Sequence, residues 1–125
     1  MTHHTDPRLV ALRGATTVDR DESGDIRERT AELLRELLKR NSLAVDDIIS
    51  IVFTATSDLQ ADFPAVAARE IGLSQTPLLC AQEIPVAGAV VRCVRVLIHC
   101  YATAGAKAHH VYLHEARQLR LDLPE

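Results

Sequence analysis

Nine consecutive residues, Ile48 to Thr56 (IISIVFTAT), are apolar at nearly every position and are bounded by polar residues on both sides. A strand with one wet face alternates, whereas a strand covered on both faces reads as a continuous apolar run. The segment therefore predicts a central strand, and the rest of the chain must supply its neighbours and its covers.

Upstream, Leu9 to Leu12 leads into Arg13-Gly14-Ala15-Thr16-Thr17-Val18, rich in β-branched residues and strand-like. Asp25 with Glu28 three positions on fits a capping box. Ile26, Thr30, Leu33, Leu34, Leu37 and Leu38 then recur at helical spacing, with charged residues filling the other face and Lys39 and Arg40 at the end that favours cations. A second, shorter helix spans Ala65 to Ile71, with Asp62 as a cap, Pro64 in its first turn and Gly72 as its stop. Gln75-Thr76-Pro77 opens a third strand that delivers Gln82 and Glu83 at its end, and Ile84 to Ala89 makes a bend. Val90 to Ala102 reads as a long strand, with Cys93, Arg95, Leu97, His99 and Tyr101 on one face and Val94, Val96, Ile98 and Cys100 on the other. A last strand, His109 to Leu113, puts His110, Tyr112 and His114 on one face. The predicted fold class is α+β: one domain with a single five-stranded mixed sheet and two helices on one face. Residues 1–8 are expected to be a flexible leader and 114–125 a tail. The second sheet face needs burial, and another copy of the chain in a closed oligomer is the simplest cover.

Glu83 and Arg95 are charges set among apolar neighbours, which is unfavourable unless they are paired or face a polar ligand. A structural salt bridge and a binding site both satisfy that condition. Arg13 is either a strand-end arginine reaching solvent or a ligand contact, and Phe63 either a hydrophobic staple or a lid over a pocket. Cys80, Cys93 and Cys100 form neither a C-x-x-C pair nor an even disulfide set and are expected to be reduced. The histidines lack convincing ligand spacing, so no metal is expected. A net charge of -3 without a basic run gives nucleic-acid binding no support. No apolar segment approaches the roughly 20 residues of a membrane span, and the N-terminus lacks a signal-like apolar region, so a cytoplasmic location is expected.

Five segments in matching order and spacing carry a resemblance: Arg13 to Val18; Ala55 to Leu59 with Phe63-Pro64-Ala65 and Arg69; Cys80-Ala81-Gln82-Glu83; Arg92 to Val96; and His110 to Leu113. Together they resemble the monofunctional AroH-type chorismate mutases, over roughly Leu9 to Leu123; the strand-rich pattern excludes the all-helical AroQ type. The resemblance implies a homotrimer whose sheets pack into a pseudo α/β barrel, with active sites between subunits. It implies the Claisen rearrangement of chorismate to prephenate in phenylalanine and tyrosine biosynthesis, with no cofactor. It further implies that Arg95 donates to the ether oxygen and that Arg13 pairs with a substrate carboxylate, assisted by Tyr112. Glu83 would accept from the ring hydroxyl, beside Cys80. Phe63, Ala65 and Arg69 would form a wall from the adjacent subunit, and Leu119 would belong to a tail that closes over the ligand. Val66, Leu79 and Pro85 depart from residues found in some relatives, which bears on affinity more than on reaction type.

Two other readings share the expected shape. The trimeric reactive-intermediate deaminases resemble this fold and also place an arginine between subunits, and a non-catalytic trimer binding a small carboxylate would show the same arginines.

Overall fold

The computed structural model describes residues 7–120. The chain runs β1 (Pro7–Thr17), α1 (Ser23–Arg40), a 3-10 turn (Val45–Asp47), β2 (Ile48–Ala55), α2 (Ala65–Glu70), β3 (Leu78–Gln82), β4 (Cys93–Thr103), β5 (Val111–Tyr112) and a 3-10 segment (His114–Arg120). The strands form one sheet in the order β3-β2-β4-β1-β5. β4 is antiparallel to both β1 and β2, while β3 runs parallel to β2 and β5 parallel to β1. The sheet is thus mixed, as expected, and the apolar run of β2 lies inside it. Pro7 and Arg8, assigned above to the leader, already pair with β4. The expectations for 1–6 and 121–125 lie outside the described residues.

Alternation along the strands divides the sheet into two faces. One face carries Leu12 of β1, Ile51 and Phe53 of β2, and Val96, Ile98 and Cys100 of β4, packed against Leu33, Leu34 and Leu37 of α1 and Ala65 and Ala68 of α2. Gly14 lies on this face because nothing larger fits. A Cβ there would stand 2.9 Å from Leu37 Cδ1 and 3.1 Å from both Leu33 Cδ1 and the Val111 carbonyl. α1 comes this close to β1, and glycine permits it.

Several element ends differ from expectation. α1 starts at Ser23 with Glu22 as N-cap, not at an Asp25–Glu28 capping box. The Asp25 carboxylate instead accepts from Arg20 Nε at 3.2 Å. Its C-terminus closes through Ser42 at φ 53, after which Leu43 N donates to Leu38 O at 2.8 Å. Asp62 does not cap α2, whose N-cap is Pro64. Its two oxygens accept from Ser23 Oγ at 2.6 Å and from Phe63 N at 2.7 Å, which holds the carboxyl below its usual range. Phe63 is no staple, being 69% exposed. β4 begins at Cys93 and not at Val90, because Arg92 sits at φ 45 and its N–H turns to the Asp58 carboxylate at 2.9 Å. β5 has two residues where five were expected. His114, at φ 53, leaves the face of Tyr112 and reaches Glu32 of α1, Nε2 to Oε1 2.8 Å.

The opposite face is not left wholly bare. The 3-10 segment folds across one corner of it, where Ala15, Cys93, Tyr112 and Ala116 form a small cluster joined by Leu119 and Val90. Beyond that corner Leu9, Leu79 and Tyr101 remain 61%, 64% and 47% exposed.

Candidate active site

Strand register builds the site on this opposite face. Ala81, Thr54, Arg95, Ala15 and Tyr112 are paired neighbour to neighbour, one row crossing all five strands. The adjoining row is Leu79, Val52, Leu97 and Arg13. Paired residues share a face, so Arg13, Arg95 and Tyr112 stand on one side of the sheet over an apolar floor of Val52 and Leu97. Small Ala15 leaves room between Arg95 and Tyr112. A cavity of about 350 Å³ lies over these rows and is lined by Arg13, Arg95, Tyr112, Thr54, Glu83 and Leu119 among others, within the usual range of small-ligand sites.

Glu83 follows β3 directly, its N–H donating to Ala55 O at 2.9 Å. The carboxylate turns inward, where Oε2 accepts from the Thr54 hydroxyl and lies 3.4 Å from Arg95 Nε. Their side chains are 23% and 47% exposed, so the pair faces the cavity rather than the core. An ion pair this wet contributes little to stability. Glu83 stands on the Nε side of Arg95, and the two terminal guanidinium nitrogens of Arg95 can donate into the cavity. Arg13 brings a second guanidinium, which has no hydrogen-bond or ion-pair partner among the described residues, and the Arg13 backbone N–H donates to His110 Nδ1 at 3.0 Å. Two guanidiniums against one carboxylate leave the cavity suited to an anion. Beneath it Cys93 is buried, and burial pushes its thiol up to about 11 against the opposing pull of Arg95. It is a protonated core residue and no nucleophile.

Five of the nominated residues, Arg13, Glu83, Arg95, Tyr112 and Leu119, thus meet at one cavity. Cys80 does not join them. It pairs with Phe53 across β2 and β3, so its side chain shares the helix-covered face and touches the core. With Phe63 it lines a second cavity of about 430 Å³, at the β2 end nearest α2. The loop bearing Phe63 is fixed from α1's approach: Asp21 Oδ1 accepts from Gln60 N at 2.9 Å and Ala61 N at 3.0 Å. Ala65 is buried in the core and Arg69 is exposed on α2; neither lines either cavity. A larger cavity of about 720 Å³, near Arg40, Tyr101 and Lys107, contains none of the nominated residues. Thr54 was not foreseen. Its hydroxyl, set in the apolar run of β2, was the available signal.

Among the described residues no three His, Cys, Asp or Glu side chains group to hold a metal, and no helix is long and apolar enough to cross a membrane.

Comparisons with known proteins bear on this arrangement. The family model for chorismate mutase type I matches residues 9–123. Chorismate mutase AroH of Thermus thermophilus is 43% identical over 114 residues, covering 90% of this chain and 93% of that protein. Its namesake in Bacillus subtilis is 38% identical over 117 residues, covering 92% of each. The solved chorismate mutase from Clostridium thermocellum superposes with a TM-score of 0.83 at 46% identity, over 87% of this chain and 98% of that one. A match across nearly the whole chain decides against the deaminase reading, and the chain belongs to the type I chorismate mutase family.

Proposed function

We propose that this chorismate mutase, an isomerase of aromatic amino-acid biosynthesis, converts chorismate to prephenate in the cavity between Arg13, Glu83, Arg95 and Tyr112. The rearrangement is unimolecular: one ether C–O bond breaks as one C–C bond forms, and no proton or electron leaves the substrate. Such a reaction needs neither nucleophile nor general base. It needs the dianion held in its reactive chair-like shape, with donors waiting where negative charge grows.

Arg95 is the principal catalytic residue, its free guanidinium nitrogens donating to the ether oxygen as that bond breaks. Guanidinium suits the task because it stays charged and its planar fork is preorganised. Glu83 steadies Arg95 through one oxygen and accepts from the ring hydroxyl with the other. Arg13, with Tyr112 beside it, pairs with a carboxylate. Leu119 closes the cavity from the 3-10 segment. The remaining wall comes from a neighbouring subunit of a homotrimer, whose Phe63 approaches from the second cavity's side with exposed Arg69 on the adjoining helix and buried Ala65 behind them, and Cys80 belongs to that same edge. The exposed apolar residues on the open face support such an assembly.

The observation that carries this reading is the shared register of Thr54, Arg95 and Tyr112, with Arg13 one row away and Glu83 on Arg95. Loss of chorismate absorbance with purified protein and no additive, with prephenate as product, tests it. Steady turnover is expected; chorismate bound but unconverted would leave only a carboxylate-binding protein.

A further inference from the structure

β5 is two residues long and lies at the edge of the sheet, yet its register with β1 sets where Tyr112 stands relative to Arg13. Its ladder to β1 consists of the pairs Gly14 with Val111 and Ala15 with Tyr112. At its far end Leu113 N donates to Ala15 O at 2.9 Å. So short an edge pairing is marginal by itself. At its near end the His110 imidazole stands where the next strand carbonyl would be, and Nδ1 accepts the Arg13 backbone N–H at 3.0 Å. The preceding residue is anchored separately: the Asn41 side-chain amide accepts from His109 N and donates to His109 O, each at 2.8 Å. The approach to β5 is therefore tied to α1 at one residue and to β1 at the next.

We propose that His110 is a positioning residue for the reaction. Its unprotonated Nδ1 clips β1 to β5 at Arg13, which sets the separation between the Arg13 guanidinium and the Tyr112 hydroxyl. Arg13 and Tyr112 lie diagonally across this pairing on the same face, so a slip of the edge strand changes the distance between the two groups. The inference rests on the reading that these two residues hold a substrate carboxylate.

The test is steady-state kinetics on His110→Ala, His110→Asn, Arg13→Ala and the His110→Ala/Arg13→Ala double variant, with imidazole ¹⁵N resonances of the wild-type protein. His110→Ala should raise KM by about three- to tenfold, the scale of one neutral hydrogen bond, with a smaller change in kcat. His110→Asn, whose side-chain oxygen occupies the place of Nδ1, should restore most of that loss. In the Arg13→Ala background, His110→Ala should change KM by less than about twofold, because the two act as one unit. An unchanged KM in His110→Ala, full additivity with Arg13→Ala, or failure of asparagine to rescue overturns the clip. If Arg13→Ala itself leaves KM unchanged, the carboxylate reading falls first and the clip with it. Should His110→Ala fail to fold, the ¹⁵N spectrum decides: a protonated Nδ1 overturns the proposal.

Discussion

Arg95 and Glu83 satisfy two readings at once, since they touch each other and also line the anionic-ligand cavity. Kinetics separates the roles. Arg95→Ala should stay folded while kcat falls by about 10² to 10³, the scale of losing one preorganised donor at developing charge. Near wild-type turnover would remove Arg95 from the mechanism. Glu83→Ala should also slow turnover, and an unaffected rate would reduce the pair to a surface ion bridge. Cys93 offers a different measurement. Burial raises its thiol from 9.0 to about 11, so both folded and unfolded chains hold the proton below pH 9 and the stabilising contribution is complete there. Between pH 9 and 11 the unfolded chain gives up the proton first, and stability should fall by about 2–3 kcal/mol. Urea unfolding of wild type and Cys93→Ala across that window measures this; parallel pH profiles would contradict it. The charged members of the site were legible in the sequence because isolated charges in apolar runs need a reason. Thr54 was not, since threonine is ordinary in strands and its partner, Glu83, lies 29 residues away. Cys80 shows a second limit: the face it occupies follows from its pairing with Phe53, a register that β3 alone does not reveal.

At the scale of elements, α1, β2 and the interior of β4 were legible because each repeats its pattern over many residues. Their ends were not, because tertiary contacts set them. Ser23 donates to Asp62 instead of capping its own helix, and Asp58 draws the Arg92 N–H away from the sheet. The 3-10 segment escaped for a related reason: its apolar residues, Ala116 and Leu119, are few and find their partners in Ala15, Cys93 and Tyr112. α1, β1 and β5 converge at Gly14, where an added Cβ would stand 2.9 Å from Leu37 Cδ1. Gly14→Ala should destabilise the fold by about 1–3 kcal/mol, the usual result of overpacking a core. The added methyl meets the Val111 carbonyl as well as Leu33 and Leu37, so β5 moves too. Chemical denaturation measures the first effect. A KM increase beyond that of a destabilised control at another core site measures the second, and a wild-type KM would show that β5 yields without disturbing Tyr112.

At the scale of the whole molecule, the two cavities on one protomer share only Thr54 among their lining residues, and the proposed trimer makes one site from two such halves. Subunit mixing tests this directly. Trimers of Arg95→Ala and trimers of Phe63→Ala should each be impaired, and unfolding and refolding them together should recover activity, because some interfaces then pair two unmutated halves. Absence of recovery, with mixed trimers verified by mass, would place each site within a single subunit. Sheet order carries one more consequence. β4 alone lies between β2 and β1, and the residues it joins are far apart in sequence, Pro7 with Thr103 at the extreme. Until β4 has been made, the emerging chain holds β1 with no strand partner, a separate β2–β3 pair, and an amphipathic helix with half a surface to rest on. Folding dominated by such distant pairings is slow, and the incomplete chain exposes unpaired strand edges while it waits. The arrangement that aligns the site across five strands also makes β1 and the β2–β3 pair wait for nearly the whole chain before they can be joined.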